Sequence, residues 1–150
     1  MDPAQPSLPV LLELCTRFRA ILASVPPPQR HASLKRFPHL SCGTTSELLG
    51  SYLHALGFGR FDYRHGSREG IASHAWIQQG TLIIDLTADQ FGPHLPPVMV
   101  TRDSPWHAGF APRRSYPIDI PASDEGALRP LWPFYQVLLA LLPSLNGRAA

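Results

Sequence analysis

The chain of 150 residues is 44% hydrophobic and 9% aromatic, enough for one folded domain with its own core, and this composition excludes a disordered chain. Its formal charge of +2 comes from basic residues such as Arg17, Arg36, Arg60, Arg113 and Arg148, scattered rather than gathered in a stripe, so nucleic acid is not an expected partner. No apolar run approaches about 18 residues, so no membrane association is expected.

The first residues, Met1-Asp2-Pro3-Ala4-Gln5-Pro6, lack the basic and apolar regions of a secretory signal. Cys15 and Cys42 occupy unlike contexts, one inside an apolar helical pattern and one at a polar helix start, and do not suggest a disulfide. A reducing cytoplasm is the expected location, and it would keep both thiols free.

In chain order, Leu11, Leu14, Cys15, Phe18, Ile21, Leu22 and Val25 recur at helical spacing and predict a first helix over about residues 8–25. Pro26-Pro27-Pro28 ends it. After a basic connector over 29–40, a second helix is expected to begin near Cys42, with Ser41 as its cap and Thr44-x-x-Glu47 in the form of a capping box. Leu48, Leu49, Tyr52, Leu53 and Leu56 form its apolar stripe, and Gly57 suits its carboxyl-terminal cap.

Residues 58–70 read as irregular or as one edge strand, because Gly59, Gly66 and Gly70 break any longer period. Residues 71–78 and 81–87 then read as a hairpin around Gln79-Gly80. A two-residue loop there pairs Gln78 with Thr81 and, four steps back, His74 with Asp85. Directly opposed side chains have Cβ atoms about 4.5–5.5 Å apart, so imidazole and carboxylate would meet. A slip of one residue would separate them.

From Phe91 onward prolines interrupt the chain, leaving Val98-Met99-Val100 and Tyr116–Ile120 as short candidate strands. Residues 131–142 read as a helix with Pro133 in its first turn. It is apolar almost all round, so it is expected to be buried or to meet a protein partner.

The chemistry lies in Ser41-Cys42-Gly43, Ser73-His74-Ala75-Trp76 and Ile83-Ile84-Asp85. A cysteine in the first turn of a helix faces free backbone N–H groups and the positive end of the macrodipole, which favour an anion there. His74 would accept its proton and Asp85 would hold the imidazole in one tautomer, giving nucleophile, base and orienting acid. Gly43 removes a side chain beside the sulfur, and the helix N–H groups supply part of an oxyanion hole. Taken singly, each residue has an ordinary alternative: a buried small cysteine, a hydrogen-bonded strand histidine, a solvated aspartate.

Cys-Gly heading a helix, then Ser-His-Ala-Trp and Ile-Ile-Asp-Leu-Thr strands, resembles the papain-like superfamily in its transglutaminase-like arrangement. The resemblance covers roughly residues 38–91. It implies an α+β fold with the nucleophile's helix packed on a small antiparallel sheet, and it carries the nucleophile to Cys42, the base to His74 and the acid to Asp85. The match departs from papain-type peptidases before the cysteine, where Lys35-Arg36-Phe37-Pro38-His39-Leu40 offers no oxyanion-hole glutamine. Gln90 is a candidate donor instead, or a loop cap. Trp76 is a candidate pocket wall or plain core, and Trp106-His107 a candidate lid or binding edge.

A metal held by Cys42, His74, His94 and His107 lacks closely spaced ligand pairs, and no metal or other cofactor is expected. The chain is short for an acyltransferase with a cofactor-binding domain. The expectation is a single domain over 1–150, a thiol-dependent hydrolase or acyl transferase acting on a peptide, isopeptide or glutamine side-chain amide. The alternatives are a non-catalytic protein-binding module on the same fold and an effector- or toxin-type deamidase.

Overall fold

The computed structural model describes residues 7–120 and 129–143; the amino-terminal hexapeptide read for a signal lies outside them. Helix α1 (Leu8–Ser24) begins with proline in its first turn, where the missing N–H costs nothing, and buries Leu11, Cys15, Phe18 and Leu22. Pro26 follows its cap, and two short turns of 3₁₀-helix (Pro27–Gln29 and Ala32–Leu34) lead toward the second helix. Helix α2 (Cys42–Ala55) buries Leu48, Leu49, Tyr52 and Leu53. It stops where Gly57 adopts φ +92°, with the Gly57 N–H bonded to His54 O and the Phe58 N–H to Leu53 O.

Five strands follow: β1 (Asp62–Arg68), β2 (Ile71–Gln79), β3 (Leu82–Asp85), β4 (Met99–Thr101) and β5 (Ala111–Pro117). They form one antiparallel sheet in the order β4-β3-β2-β1-β5. The fold is therefore α+β. A one-turn helix α3 (Pro105–Ala108) sits between β4 and β5, and α4 (Trp132–Leu141) closes the described chain.

The alternation of side chains along the strands divides the sheet into two unlike faces. One face, carrying Tyr63, Ala75, Ile77 and Ile84, packs with Ile118 and the buried stripes of α1, α2 and α4 into the main core. The opposite face carries Trp76 and Ile83 and is covered by Phe110 and Trp106. Arg68 fastens that cover, donating to Trp106 O at 2.7 Å with its guanidinium over the Trp106 and Phe110 rings.

Several expectations are corrected. Residues 62–68 form an interior strand, not an edge, because β5 adds outside them. Gly66 permits that close addition, since a Cβ there would stand 2.7 Å from Ala111 O. The outer strand begins at Ala111, earlier than expected, and Ile118 and Ile120 lie beyond it. No capping box forms at α2: Ser41 turns its hydroxyl back to His39 O and Ser33 O, and Glu47 instead accepts from Tyr116. Helix α4 buries Phe134, Tyr135 and Leu138 but leaves Trp132, Val137 and Leu141 exposed, so it is only half covered among the described residues.

The hairpin register also differs. The ladder pairs Gln79 with Leu82, Gln78 with Ile83 and Ile77 with Ile84, so the loop is Gly80-Thr81 rather than Gln79-Gly80. Gly80 has φ +59° and Thr81 does not have a positive φ, the pattern of a turn whose first central residue must be glycine. The glycine therefore takes the first loop position. The partners slide by two, which preserves the face, and the ladder continued one step sets Asp85 opposite Trp76 with His74 on the diagonal.

Candidate active site

His74 lies near the amino-terminal end of β2, beyond the last residue of β3 that pairs with its strand, and its side chain is fully buried. The diagonal separation of about 7–8 Å remains within reach of long side chains. His74 Nε2 and Asp85 Oδ2 are 2.6 Å apart. The same oxygen meets His107 Nε2 at 2.7 Å, and Asp85 Oδ1 accepts the Thr87 N–H at 2.9 Å. Asp85 is thus a buried carboxylate with three donors, which is what an anion removed from water requires.

An ionised carboxylate only accepts, so both Nε2 atoms carry their protons. The tautomers follow. Ser104 Oγ stands 2.6 Å from the other ring nitrogen of His107, Nδ1, and also caps α3. In the neutral imidazole Nδ1 of His74 is the lone-pair nitrogen, buried and without a hydrogen-bond partner. Cys42 is the thiol beside that ring: its hydrogen-bonding capacity and charge, with those of Asp85, favour the imidazolium. Burial alone would pull the His74 pKa down, but these partners overcome it and raise it to about 9. Burial would likewise push the Asp85 pKa up, yet the bonds from His107 and His74 and their charges hold it well below the usual range.

Cys42 opens α2 and is half-buried. The chain enters this turn through Leu40, an exposed non-glycine residue at φ +56°, a conformation that costs roughly 1–2 kcal/mol. No side-chain oxygen caps the helix, so its first N–H groups stay available to an anion. Cys15, by contrast, is sealed in the core, and burial pushes its thiol up to about 12. Of the two cysteines, Cys42 is the one not sealed in the core.

The other expected residues divide. Trp76 is buried with its ring 5.9 Å from that of His74, and Phe91, Trp106 and Phe110 complete the aromatic enclosure at 5.0, 5.5 and 5.8 Å. Trp106 and His107 therefore belong to the wall around the imidazole rather than to an open lid. Gln90 bonds Thr87 O through its side-chain nitrogen at 2.9 Å, serving the turn (Ala88–Phe91) as a loop cap. Gly43 faces the Tyr63 hydroxyl, which would lie 3.1 Å from an added Cβ. The strand's exit is pinned by Arg19, which grips both Asp89 oxygens at 2.9 and 3.0 Å and also donates to Leu86 O and Pro97 O.

Sequence reasoning weighed His107 only as a lid or metal ligand and missed its bond to Asp85. No local signal marks it, because residues 86–106 lie between the partners. Asp85, His74 and His107 are the group among the described residues with spacing that could hold a metal, whereas His94 is exposed and stacked on Gly92. Ligands around a tetrahedral ion at about 2.0–2.1 Å lie roughly 3.3 Å apart. The contacts of 2.6 and 2.7 Å are those of hydrogen bonds instead. Comparison with known proteins finds no family model, no curated protein and no solved structure that matches this chain.

Proposed function

We propose that the protein is a thiol-dependent hydrolase or acyl transferase of papain-like, transglutaminase-like organisation, acting on a peptide, isopeptide or glutamine side-chain amide. The observation that carries the reading is the free Nδ1 of His74, held by Asp85 through the opposite ring nitrogen and set beside a thiol at a helix amino terminus. The Cys42 proton passes to Nδ1 to give a thiolate–imidazolium pair, Sγ then attacks the carbonyl carbon, and the resulting oxyanion is met by free N–H groups of α2. The imidazolium then protonates the leaving amine as the carbon–nitrogen bond breaks. Water or a second amine cleaves the thioester, returning the proton through His74.

His107 is a positioning residue in this scheme: it shares Oδ2 with His74 and so orients the carboxylate. The test is alkylation by iodoacetamide near neutral pH. Cys42 should react at least tenfold faster than glutathione, and His74→Ala should remove most of that advantage. A Cys42 no faster than glutathione overturns the reading.

A further inference from the structure

The scheme needs a donor for the oxyanion besides the helix backbone, and Gln90 is committed to Thr87. Resting on the thiol reading, we propose that the Tyr63 hydroxyl is that donor, giving a hydrogen bond to the oxygen of the carbonyl that Cys42 attacks.

Tyr63 lies on β1, opposite Ile77 of β2 and Tyr116 of β5, on the sheet face that meets α2. Its hydroxyl oxygen sits against Gly43, the residue after the nucleophile, where a Cβ would be only 3.1 Å away. A glycine here admits the phenol to the first turn. The ring is held by its stack on Tyr116, at 4.7 Å and 18°, and by His65 on its other neighbour contact at 6.4 Å and 17°. Tyr116 in turn donates to Glu47, one turn along α2 from Cys42, which ties the tyrosine pair to the nucleophile's own helix.

The two stacked tyrosines differ in the way the proposal requires. The Tyr116 hydroxyl is spent on Glu47, whereas the Tyr63 hydroxyl makes no hydrogen bond among the described residues. It is also absent from the sealed, unpartnered polar atoms (Thr45 Oγ1, His54 Nδ1, Arg64 Nε, His74 Nδ1 and Tyr135 Oη), so it is not fully closed off from solvent. Burial, then the charges of Cys42 and Glu47, push its pKa up to about 12, which keeps the proton on the phenol through the whole working range. A neutral phenol beside a developing alkoxide is a donor preorganised for the transition state.

Two reagents separate this role from others in the full chain. Alkylation by iodoacetamide passes through no oxyanion, whereas acylation by p-nitrophenyl acetate does. Tyr63→Phe should slow p-nitrophenolate release from Cys42 by about a hundredfold, the order lost with one oxyanion donor, while alkylation stays within twofold of wild type. Gly43→Ala, which pushes on the phenol, should slow acylation in the same direction but less. Acylation within threefold of wild type in Tyr63→Phe overturns the proposal. Parallel loss of both rates also overturns it, because the phenol would then be acting on the thiol pair or the fold. A wild-type Cys42 that is slow toward iodoacetamide defeats the thiol reading itself, and this inference with it.

Discussion

The two faces of the sheet are built from the same strands and solve opposite problems. On the helix-covered face, Tyr63, Ile77 and Ile84 meet Leu48, Leu53 and Phe18, and stability comes from apolar area removed from water, without direction or charge. On the other face the aromatic cover of Trp106 and Phe110 encloses His74, Asp85 and His107, three ionisable groups buried to 0–3% exposure. That face holds only because every donor to the carboxylate is in place. The lesson is that a one-residue alternation places an aliphatic core and a charged network on neighbouring residues such as Ile84 and Asp85.

The strongest way to break the contrast is to compare substitutions at those neighbours. Asp85→Ala orphans the Nε2 protons of His74 and His107 and the Thr87 N–H, and should cost about 3–5 kcal/mol by thermal or denaturant unfolding. Ile84→Val removes one methylene from the aliphatic face and should cost about 0.5–1.5 kcal/mol. Equal losses would mean that the network contributes no more than packing does.

A smaller effect is expected at the seam between the faces. Gly66 pairs with His74, and an added Cβ would stand 2.7 Å from Ala111 O and 3.1 Å from Phe110 Cβ. Gly66→Ala should therefore cost about 1–3 kcal/mol, and it should alter tryptophan fluorescence because the aromatic cover is lifted. Unchanged fluorescence at wild-type stability would show the cover to be loose.

A last predicted effect is a dependence on pH confined to the charged face. His74 binds its proton more tightly when folded, with a pKa of about 9, than when unfolded, near 6.5. Its contribution is complete below about pH 6.5 and is lost as the pH rises through 9. Asp85, held low, contributes above about pH 4 and loses that contribution on acidification. Between pH 6 and 9.5 wild type should lose several degrees of Tm, on the order of 5 °C, beyond the loss in His74→Gln. Parallel curves would contradict the raised His74 pKa.

Much of the framework was legible in the chain. Leu11, Cys15, Phe18 and Leu22 at helical spacing mark the buried side of α1, and Leu48, Leu49, Tyr52 and Leu53 mark that of α2, because one residue in each turn faces the same way. The His74–Asp85 contact was also legible, although by an incorrect register: sliding by two keeps parity, so the carboxylate stays on the imidazole's face. β1 was legible only as one of two readings, an edge strand or irregular chain, since Gly66 reads locally as a breaker and only the arrival of β5 makes the strand interior. The bond of His107 to Asp85 and the approach of Tyr63 to Gly43 were invisible for the same reason, each made with a partner distant in sequence.

Local pattern, acting over a few residues, determined that Cys42 would open a helix and that His74 and Asp85 would share a strand face. Tertiary structure alone decided that His107 would take the second half of Asp85 and that Tyr63 would come to rest against Gly43. Periodicity is a property of neighbouring residues and survives in the sequence. A contact across 20 residues depends on where loops and strands close in space, and leaves no spacing to read.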